Sequence, residues 1–175
     1  SITLGAGIPE EISRDLMLML PYRDKNAYDL IRKYKDDLAL VVIEPVQSSN
    51  PRLDNREFLH GLREVCTECE VLLMLDEVIT GFRIEYGGCQ EYYDIKPDLV
   101  TYGKAVGGGL PIGVVAGSKH VMNTFSGAEN TPAIFAGGTF SGNPLTMASG
   151  IGALEFLKNN KEEIYPYLHE QGNRM

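Results

Sequence analysis

The stretch LLMLDEVITGFR, residues 72–83, decides the fold of this sequence. With Val71 in front of it, five apolar residues in a row lead directly to two carboxylates, Asp76 and Glu77. A short, continuous apolar run of this kind is typical of a strand buried on both faces, as in a parallel sheet covered by helices. Ligands of such sheets bind beyond the carboxyl ends of the strands, so we expect one of the two carboxylates to meet a partner there.

Further apolar runs on both sides of this stretch alternate with helical patterns. Strands are predicted at 16–20, 38–46, 71–75, 98–104 and 112–118. Helices are predicted after Asp24, after Asp54 with Glu57 as a capping box, and after Asn143 with Pro144 as the first helical residue. The alternation predicts an α/β fold with a mainly parallel sheet and helices on both faces.

The composition favours a folded protein of one ordinary domain. The chain has 175 residues, of which 43% are hydrophobic, enough to build a core. Its formal net charge of -8 argues against a general nucleic-acid or anionic-membrane surface, because phosphate groups are bound mainly by clustered lysine and arginine. No apolar run approaches the roughly 18–20 residues of a membrane span, and no hydrophobic leader opens the chain. We therefore expect a cytoplasmic protein with no nucleic-acid or membrane partner.

The cysteines include a C-x-x-C pair, Cys66 and Cys69. A structural zinc ion needs four ligands, and the nearest candidates, His60 and Cys89, stand at no recognised spacing. A redox C-x-x-C usually lies at the start of a helix, where the helix dipole lowers the thiol pKa, whereas this pair closes a predicted helix. We therefore predict buried, inert thiols and no metal site.

Three polar side chains stand at the carboxyl ends of predicted strands and are expected to converge, namely Glu44, Asp76 and Lys104. Lys104 precedes the glycine-rich AVGGGLP, which lets the backbone pass close to a bulky ligand. A buried lysine with a lowered pKa forms a Schiff base with an aldehyde, although a lysine at a strand end is more often a solvated residue. Asp76 would pair either with Lys104 itself or with a cationic ring nitrogen held between them. Pyridoxal 5'-phosphate requires both groups, a lysine for its aldehyde and an acid for its pyridine nitrogen.

The segment AGGTFSGNP, residues 136–144, offers a site for the phosphate of such a cofactor. It supplies small residues, the hydroxyls of Thr139 and Ser141, and a helix N-terminus, although an ordinary capped turn has the same pattern. A dinucleotide fits the sequence less well, because GGGLPIG cannot be aligned with G-x-G-x-x-G. Starting at Gly107, the third glycine of that motif would fall on Ile112.

Three segments, LLMLDEVITGFR, GGCQEYYDIKPDLVTYGKAVGGGLPIG and AGGTFSGNPLTMASG, carry a family resemblance. In this order and spacing they resemble the class III pyridoxal-phosphate aminotransferases, and within that family most closely the glutamate-1-semialdehyde 2,1-aminomutases. The likeness is strongest over residues 72–150. It implies a fold-type I enzyme in which residues 1–175 form a central part of the large cofactor-binding domain, with the N-terminal and C-terminal parts of the family fold absent.

The resemblance also implies roles for individual residues. Asp76 would contact the pyridinium nitrogen, Val78 would pack against one face of the ring, and Lys104 would carry the Schiff base and move the substrate proton. Thr139, with the backbone around Gly138, would bind the cofactor phosphate of the partner subunit, because active sites of this family lie at a homodimer interface. The cofactor implied is therefore pyridoxal 5'-phosphate, and the substrate class is a small amino or oxo acid.

Other positions give weaker guidance on the reaction. Glu44 matches a family glutamate near the cofactor, and Glu77 is expected to be structural. Ser49 stands where related ω-transaminases carry a second glutamate, and the segment 47–55 differs from the usual aminomutase loop. Three readings stay open: an aminotransferase or aminomutase, an aminotransferase domain of a polyketide or lipopeptide synthase acting on a carrier-bound ketoacyl group, and a catalytically incompetent fragment.

Overall fold

The computed structural model of the chain describes residues 9–127 and 133–174. Its strands are β1 (Leu40–Ile43), β2 (Leu72–Glu77), β3 (Leu99–Gly103) and β4 (Gly113–Gly117). Its α-helices are α1 (Glu10–Asp15), α2 (Asn26–Tyr34), α3 (Arg56–Glu68), α4 (Gly88–Tyr93), α5 (Lys119–Met122), α6 (Pro144–Asn159) and α7 (Lys161–Asn173). Short 3-10 turns cover Lys104–Gly107 and Asn123–Ser126.

The four strands form one sheet in the order β1-β2-β3-β4. β1, β2 and β3 are parallel, and β4 joins β3 in the antiparallel direction. Leu75 of β2 pairs with Ile43 on one side and with Val100 on the other. The carboxyl ends of three parallel strands therefore lie side by side at one edge, which confirms the predicted α/β class and mainly parallel sheet.

One face of this sheet is buried under α2, α3 and α4. Leu73 and Leu75 are fully buried and share a core cluster with Leu59 and Leu62 of α3. Burying each leucine contributes roughly 1.5–3 kcal/mol of stability. A shift of β2 by one residue would turn these leucines to the other face, so the burial also fixes the register.

The second face of the sheet is only partly covered. Val42 pairs with Met74 on this face and is 56% exposed, and Val115 pairs with Thr101 and is 52% exposed. Burial along β2 therefore alternates from one residue to the next. The apolar run predicted complete burial on both faces, and the described helices provide it on one.

The start of β2 is held by Asp98. Its Oδ2 accepts hydrogen bonds from the Leu73 amide at 2.8 Å and from Arg63 at 2.7 Å. Although burial acts to raise it, these two bonds hold the pKa of Asp98 below its ordinary value. The ionised carboxylate thus stabilises the strand at the edge opposite to the predicted site.

The predicted strand at 16–20 is wrong, because this run makes no ladder with any described strand. Leu16 is 79% exposed, and the run lines a groove of about 580 Å³ together with β1. None of the described strands therefore supplies the ladder of backbone hydrogen bonds that a strand needs. The strand predicted at 38–46 is shorter than expected, and β2 continues through both carboxylates instead of ending before them.

All three predicted helices begin within two residues of the predicted cap, and two of the three predicted caps are formed. Asp24 accepts a hydrogen bond from the Asn26 amide at 2.9 Å, ahead of α2. Asn143 accepts from the amides of Leu145 and Thr146, and Pro144 is the first residue of α6. Both starts follow from local side-chain capping, so the sequence is sufficient to predict them.

The capping box predicted for Asp54 and Glu57 is wrong. The residue before α3 is Asn55, which caps no amide with its side chain. The carboxylate of Asp54 instead accepts hydrogen bonds from the guanidinium groups of Arg23 and Arg52. A charged partner elsewhere in the fold therefore displaces the local cap.

Candidate active site

Asp76 lies half-buried on the second face of the sheet, near the carboxyl end of β2. Its Oδ1 accepts hydrogen bonds from the Val78 amide at 3.0 Å and from the Thr101 hydroxyl at 3.3 Å. No described residue donates to its Oδ2. The carboxylate is therefore oriented through one oxygen, while the other is free to meet a positively charged donor.

Val78 packs against the end of the neighbouring strand β3, one residue before Lys104. A Cβ built on Gly103 would lie 3.2 Å from Cγ1 of Val78, so the backbone of β3 passes directly beside this side chain. Lys104 follows at once and has a φ of 47°, in the left-handed region. That conformation costs a residue other than glycine about 1–2 kcal/mol, and such strain is found most often at functional sites.

Lys104 is exposed at the first residue of the 3-10 turn. Of the two environments that the sequence left open, a buried amine and a solvated residue at a strand end, the structure shows the solvated one. Across residues 9–127 and 133–174, no salt bridge joins Lys104 to Asp76. The alternative of a simple ion pair is thus not formed in this structure.

Glu44 follows β1 at the same edge of the sheet. Because Ile43 pairs with Leu75, Glu44 lies next in line beside Asp76. Its Oε2 accepts long hydrogen bonds, each 3.4 Å, from the amide and the hydroxyl of Ser48. The structure therefore brings Glu44, Asp76 and Lys104 to adjacent strand ends, as the sequence predicted.

The glycine-rich segment after Lys104 allows α6 to approach closely. Ser149 donates a hydrogen bond to the carbonyl oxygen of Gly108 at 3.0 Å. A Cβ on Gly108 would lie 2.6 Å from the backbone oxygen of Ser149, and one on Gly150 would lie 2.9 Å from that of Val106. Gly108 also has a φ of 59°. Larger residues here would push α6 away from the turn that carries Lys104.

Gly138 and Thr139 lie in an exposed turn just before α6. The amide of Gly138 donates to the Ser141 hydroxyl at 2.9 Å, and the Ser141 amide donates back to the Gly138 carbonyl at 2.9 Å. Within the described residues, no hydrogen bond or salt bridge joins this turn to Lys104 or Asp76. The structure therefore shows the predicted phosphate turn exposed and not bonded to Lys104 or Asp76 of its own chain.

Glu77 is fully buried on the opposite face from Asp76. Its carboxylate accepts hydrogen bonds from the Cys89 amide at 2.6 Å, from the amide and side chain of Gln90 at 3.3 and 3.2 Å, and from the Thr80 hydroxyl at 3.2 Å. Burial raises the pKa of Glu77, and these hydrogen bonds oppose the shift only in part. The contacts agree with the structural role that the sequence suggested.

Sequence reasoning missed three residues around these carboxylates: Thr101, Gln90 and Tyr102. Thr101 orients Asp76, and the side chain of Gln90 donates to the Tyr102 hydroxyl at 2.7 Å as well as to Glu77. The available signal was a polar residue inside a predicted strand, since Thr101 pairs with Asp76 in a parallel register. Reading that signal requires the register, which the sequence alone does not specify.

Two of the three thiols are buried, as the sequence predicted. Cys66 and Cys89 are buried, Cys69 is half-buried, and all three are free. Burial raises the pKa of Cys66 to about 11 and that of Cys89 to about 12. Over the described ranges, no group of three or more His, Cys, Asp or Glu side chains is arranged to hold a metal ion. In the same ranges, no helix combines the length and apolar character of a membrane span.

Residues 17–168 match the model of the family described as aminotransferase class-III. The chain belongs to this family. The match includes Glu44, Asp76, Lys104 and the turn around Thr139, so all the predicted site residues lie inside the family region.

Within the class III family, the chain is similar in sequence to relatives named glutamate-1-semialdehyde 2,1-aminomutase. The chain is 44% identical over 168 residues to a glutamate-1-semialdehyde 2,1-aminomutase of Methanosphaera stadtmanae, covering 95% of the chain and 38% of the relative. It is 41% identical over 171 residues to the enzyme of the same name from Clostridium botulinum, covering 97% and 39%. The chain thus spans less than half the length of these relatives.

Solved structures of transaminases share the fold of this class III chain. An omega-transaminase from Sphaerobacter thermophilus superposes with a TM-score of 0.79 at 37% identity, covering 88% of the chain and 35% of that structure. A transaminase with bound PLP superposes with a TM-score of 0.77 at 32% identity, covering 87% and 36%. The sheet and its helices therefore correspond to part of a fold-type I transaminase.

Proposed function

We propose that the chain belongs to an enzyme that uses pyridoxal 5'-phosphate to transfer an amino group on a small amino or oxo acid, as an aminomutase or an aminotransferase. One observation carries the proposal. Asp76 and Val78 lie at the end of β2, next to the end of β3, and Lys104 directly follows β3. Within the described residues Asp76 is held through Oδ1 alone, so its Oδ2 is free. The class III family match supports this reading of the three residues.

The residues fit the chemistry of the cofactor. A protonated pyridine nitrogen needs an anionic acceptor, and the unbonded Oδ2 of Asp76 supplies one. A planar ring needs an apolar side chain beside it, which Val78 provides next to the bare backbone of Gly103. An aldehyde needs an amine within reach of the same edge, and Lys104 is exposed there. When bound, pyridoxal 5'-phosphate supplies that aldehyde and an electron-poor ring that accepts the electron pair released when a substrate proton leaves.

The chain's own residues then have distinct tasks. Lys104 would hold the cofactor through its Nζ. When a substrate amine has taken the place of Nζ, the freed amine of Lys104 would carry a proton to and from the substrate carbon. Asp76 would keep a positive charge on the ring nitrogen by its fixed negative charge, at no cost of reorganisation. Thr101 and the Val78 amide fix the direction of that carboxylate. Glu44 lies at the same edge of the sheet, where the amide and hydroxyl of Ser48 donate to its Oε2.

The exposed turn at Gly138 and Thr139 suits a phosphate site that serves a second subunit. Beside it, Phe135 is 91% exposed and Phe140 is 82% exposed, as expected for side chains that another protein surface covers. We therefore infer that this turn binds the phosphate of the cofactor held by the other subunit of a homodimer. Mixing inactive Lys104→Ala subunits with inactive Thr139→Ala subunits is expected to restore activity, because one hybrid site then has both native residues. Hybrids that form, as shown by mass, and recover nothing would contradict the assignment.

The aminomutase reaction is the first choice of substrate chemistry, because the cited relatives of 41–44% identity carry that name. An omega-transaminase is the competing assignment from the solved structures. Incubating the loaded enzyme with an amino-oxo acid alone distinguishes them. An aminomutase isomerises it without a second substrate, whereas a transaminase needs a separate amino acceptor.

Asp76→Asn tests the role of the carboxylate in the complete enzyme. The substitution keeps the shape and removes the charge. The activation free energy should therefore rise by several kcal/mol, so that turnover falls on the order of a hundredfold or more. Asp94→Asn is the matched control, because Asp94 is an exposed residue with φ of 54°, a conformation that asparagine also adopts readily. Parental turnover in Asp76→Asn would refute the role.

A further inference from the structure

The buried carboxylate of Glu77 lies behind the strand end that presents Asp76. Neighbouring residues of a strand point to opposite faces, so Glu77 and Asp76 share one backbone segment and have separate surroundings. Asp76 faces the proposed cofactor, whereas Glu77 is 0% exposed and faces α4. A carboxylate that is this deeply buried is retained only when it is well bonded.

The hydrogen bonds to Glu77 close the loop that follows β2. Thr80 lies near the start of this loop, and Cys89 and Gln90 lie beyond its end, in α4; all three donate to the same carboxylate. The amide of Gly81 also donates to the backbone oxygen of Glu77 at 2.9 Å. The segment that contains Val78 is therefore held at both ends by one residue.

A second branch of contacts reaches the strand that carries Lys104. The side chain of Gln90 bridges Glu77 at 3.2 Å and the Tyr102 hydroxyl at 2.7 Å. Tyr102 pairs with Glu77 in the sheet register and precedes Lys104 by two residues. The contacts of Glu77 thus span the ends of both strands that build the proposed site.

We propose that Glu77 is a positioning residue, which holds Asp76 and Val78 on β2 in register with the strand end that bears Lys104. This inference rests on the proposed function for its consequence and on the contacts of Glu77 for its geometry. The amides of Cys89 and Gln90 and the side-chain amide of Gln90 are all donors, so they match a carboxylate, which only accepts. A glutamine at this position would turn its own NH₂ group towards one of these donors.

The first readout needs no cofactor. In the cofactor-free protein, hydrogen exchange is followed at the Val78 amide, which bonds to Asp76, and at the Leu73 amide, which bonds to Asp98 at the other end of β2. Glu77→Gln should accelerate Val78 exchange roughly tenfold or more relative to Leu73, because a local opening loses its closing contacts. Equal acceleration at both amides would show a merely structural role and overturn the proposal.

Two further variants separate positioning from helix capping. Glu91→Gln is the matched control, because the exposed Glu91 also bonds the start of α4, through the Gly87 amide at 2.6 Å, without a contact to β2. It should leave Val78 exchange unchanged. Tyr102→Phe removes only the hydroxyl that Gln90 bonds and should give a smaller effect in the same direction, which keeps the test available if Glu77→Gln folds poorly. An effect of Glu91→Gln as large as that of Glu77→Gln, or none in Tyr102→Phe, would overturn the proposal.

The second readout is the share of label on Lys104 when the loaded protein is reduced with borohydride at limiting pyridoxal 5'-phosphate. Glu77→Gln should lower this share severalfold, and Glu91→Gln should not. If the parental protein shows no preference for Lys104, the proposed function fails, while the exchange result still decides the role of Glu77. If the parental preference exists and Glu77→Gln retains it in full, the positioning role fails and the function stands.

Discussion

Replacing Gly88 by alanine tests the buried contact between Glu77 and the start of α4. Gly88 has a φ of 67°, and a Cβ built on it would lie 2.2 Å from Oε2 of Glu77. That oxygen also accepts the 2.6 Å hydrogen bond of the Cys89 amide. The carboxylate must therefore move by about 1 Å or more to reach an ordinary contact distance, and the Cys89 bond cannot survive the shift.

The expected loss of stability has two parts. A left-handed φ costs an alanine about 1–2 kcal/mol relative to glycine. Losing one hydrogen bond to a buried charged group costs a further 1.5–3 kcal/mol or so. Gly88→Ala should therefore lower the free energy of unfolding by about 2.5–5 kcal/mol. Gly142→Ala is the matched control, because Gly142 has a φ of 69° and nothing lies within 4 Å of its Cβ position; it should show the first part alone.

Urea unfolding followed by circular dichroism measures both variants, and the chain has no tryptophan to follow by fluorescence. Combining Gly88→Ala with Glu77→Ala should cost less than the sum of the two single changes, because the colliding carboxylate is then gone. A cost for Gly88→Ala no larger than that for Gly142→Ala would refute the reasoning, and so would strict additivity in the double variant.

Three other predictions concern charge, thiols and backbone strain. Asp98→Asn should lower the free energy of unfolding by about 1–3 kcal/mol at pH 7, and urea titrations at lower pH should show the gap closing. The sign follows from the lowered pKa of Asp98, because its contribution is present above the ordinary value of 3.8 and is lost as pH falls through the lower folded value. At pH 8, a thiol reagent should modify Cys69 first, with Cys66 and Cys89 reacting only on unfolding; fast reaction of all three would contradict their burial. Finally, Lys104→Gly should unfold at a higher urea concentration than Lys104→Ala. Its free energy of unfolding should be larger by about 1 kcal/mol, because only glycine adopts the left-handed φ without strain.

Local chemistry explains which parts of the fold could be predicted. The caps at Asp24 and Asn143 and the apolar run before Asp76 were predicted correctly, because each depends on neighbouring residues. The sequence could not show that Asp54 fails to cap the helix, because Arg23 reaches its carboxylate only in the folded chain. The apolar run at 16–20 has strand composition but pairs with none of the described strands, and the composition of one segment does not reveal its pairing.

The same distinction applies to the candidate site. The placement of Asp76 and Lys104 at adjacent strand ends could be predicted, because the carboxyl ends of neighbouring parallel strands lie at the same edge of a sheet. Their supporting contacts were not found, because the bonds of Thr101 and Gln90 depend on register and on which face of the strand each side chain occupies. The sequence left the environment of Lys104 open, and the structure shows the side chain exposed at the start of a 3-10 turn.

The identity of the lysine that holds the cofactor tests the central claim most directly. The protein is loaded with limiting pyridoxal 5'-phosphate, reduced with borohydride, digested, and mapped by mass spectrometry. The account predicts a single predominant label on Lys104, which disappears in Lys104→Ala without reappearing at another lysine. A predominant label on any other lysine, or a label spread evenly over the lysines of the parental protein, would contradict it.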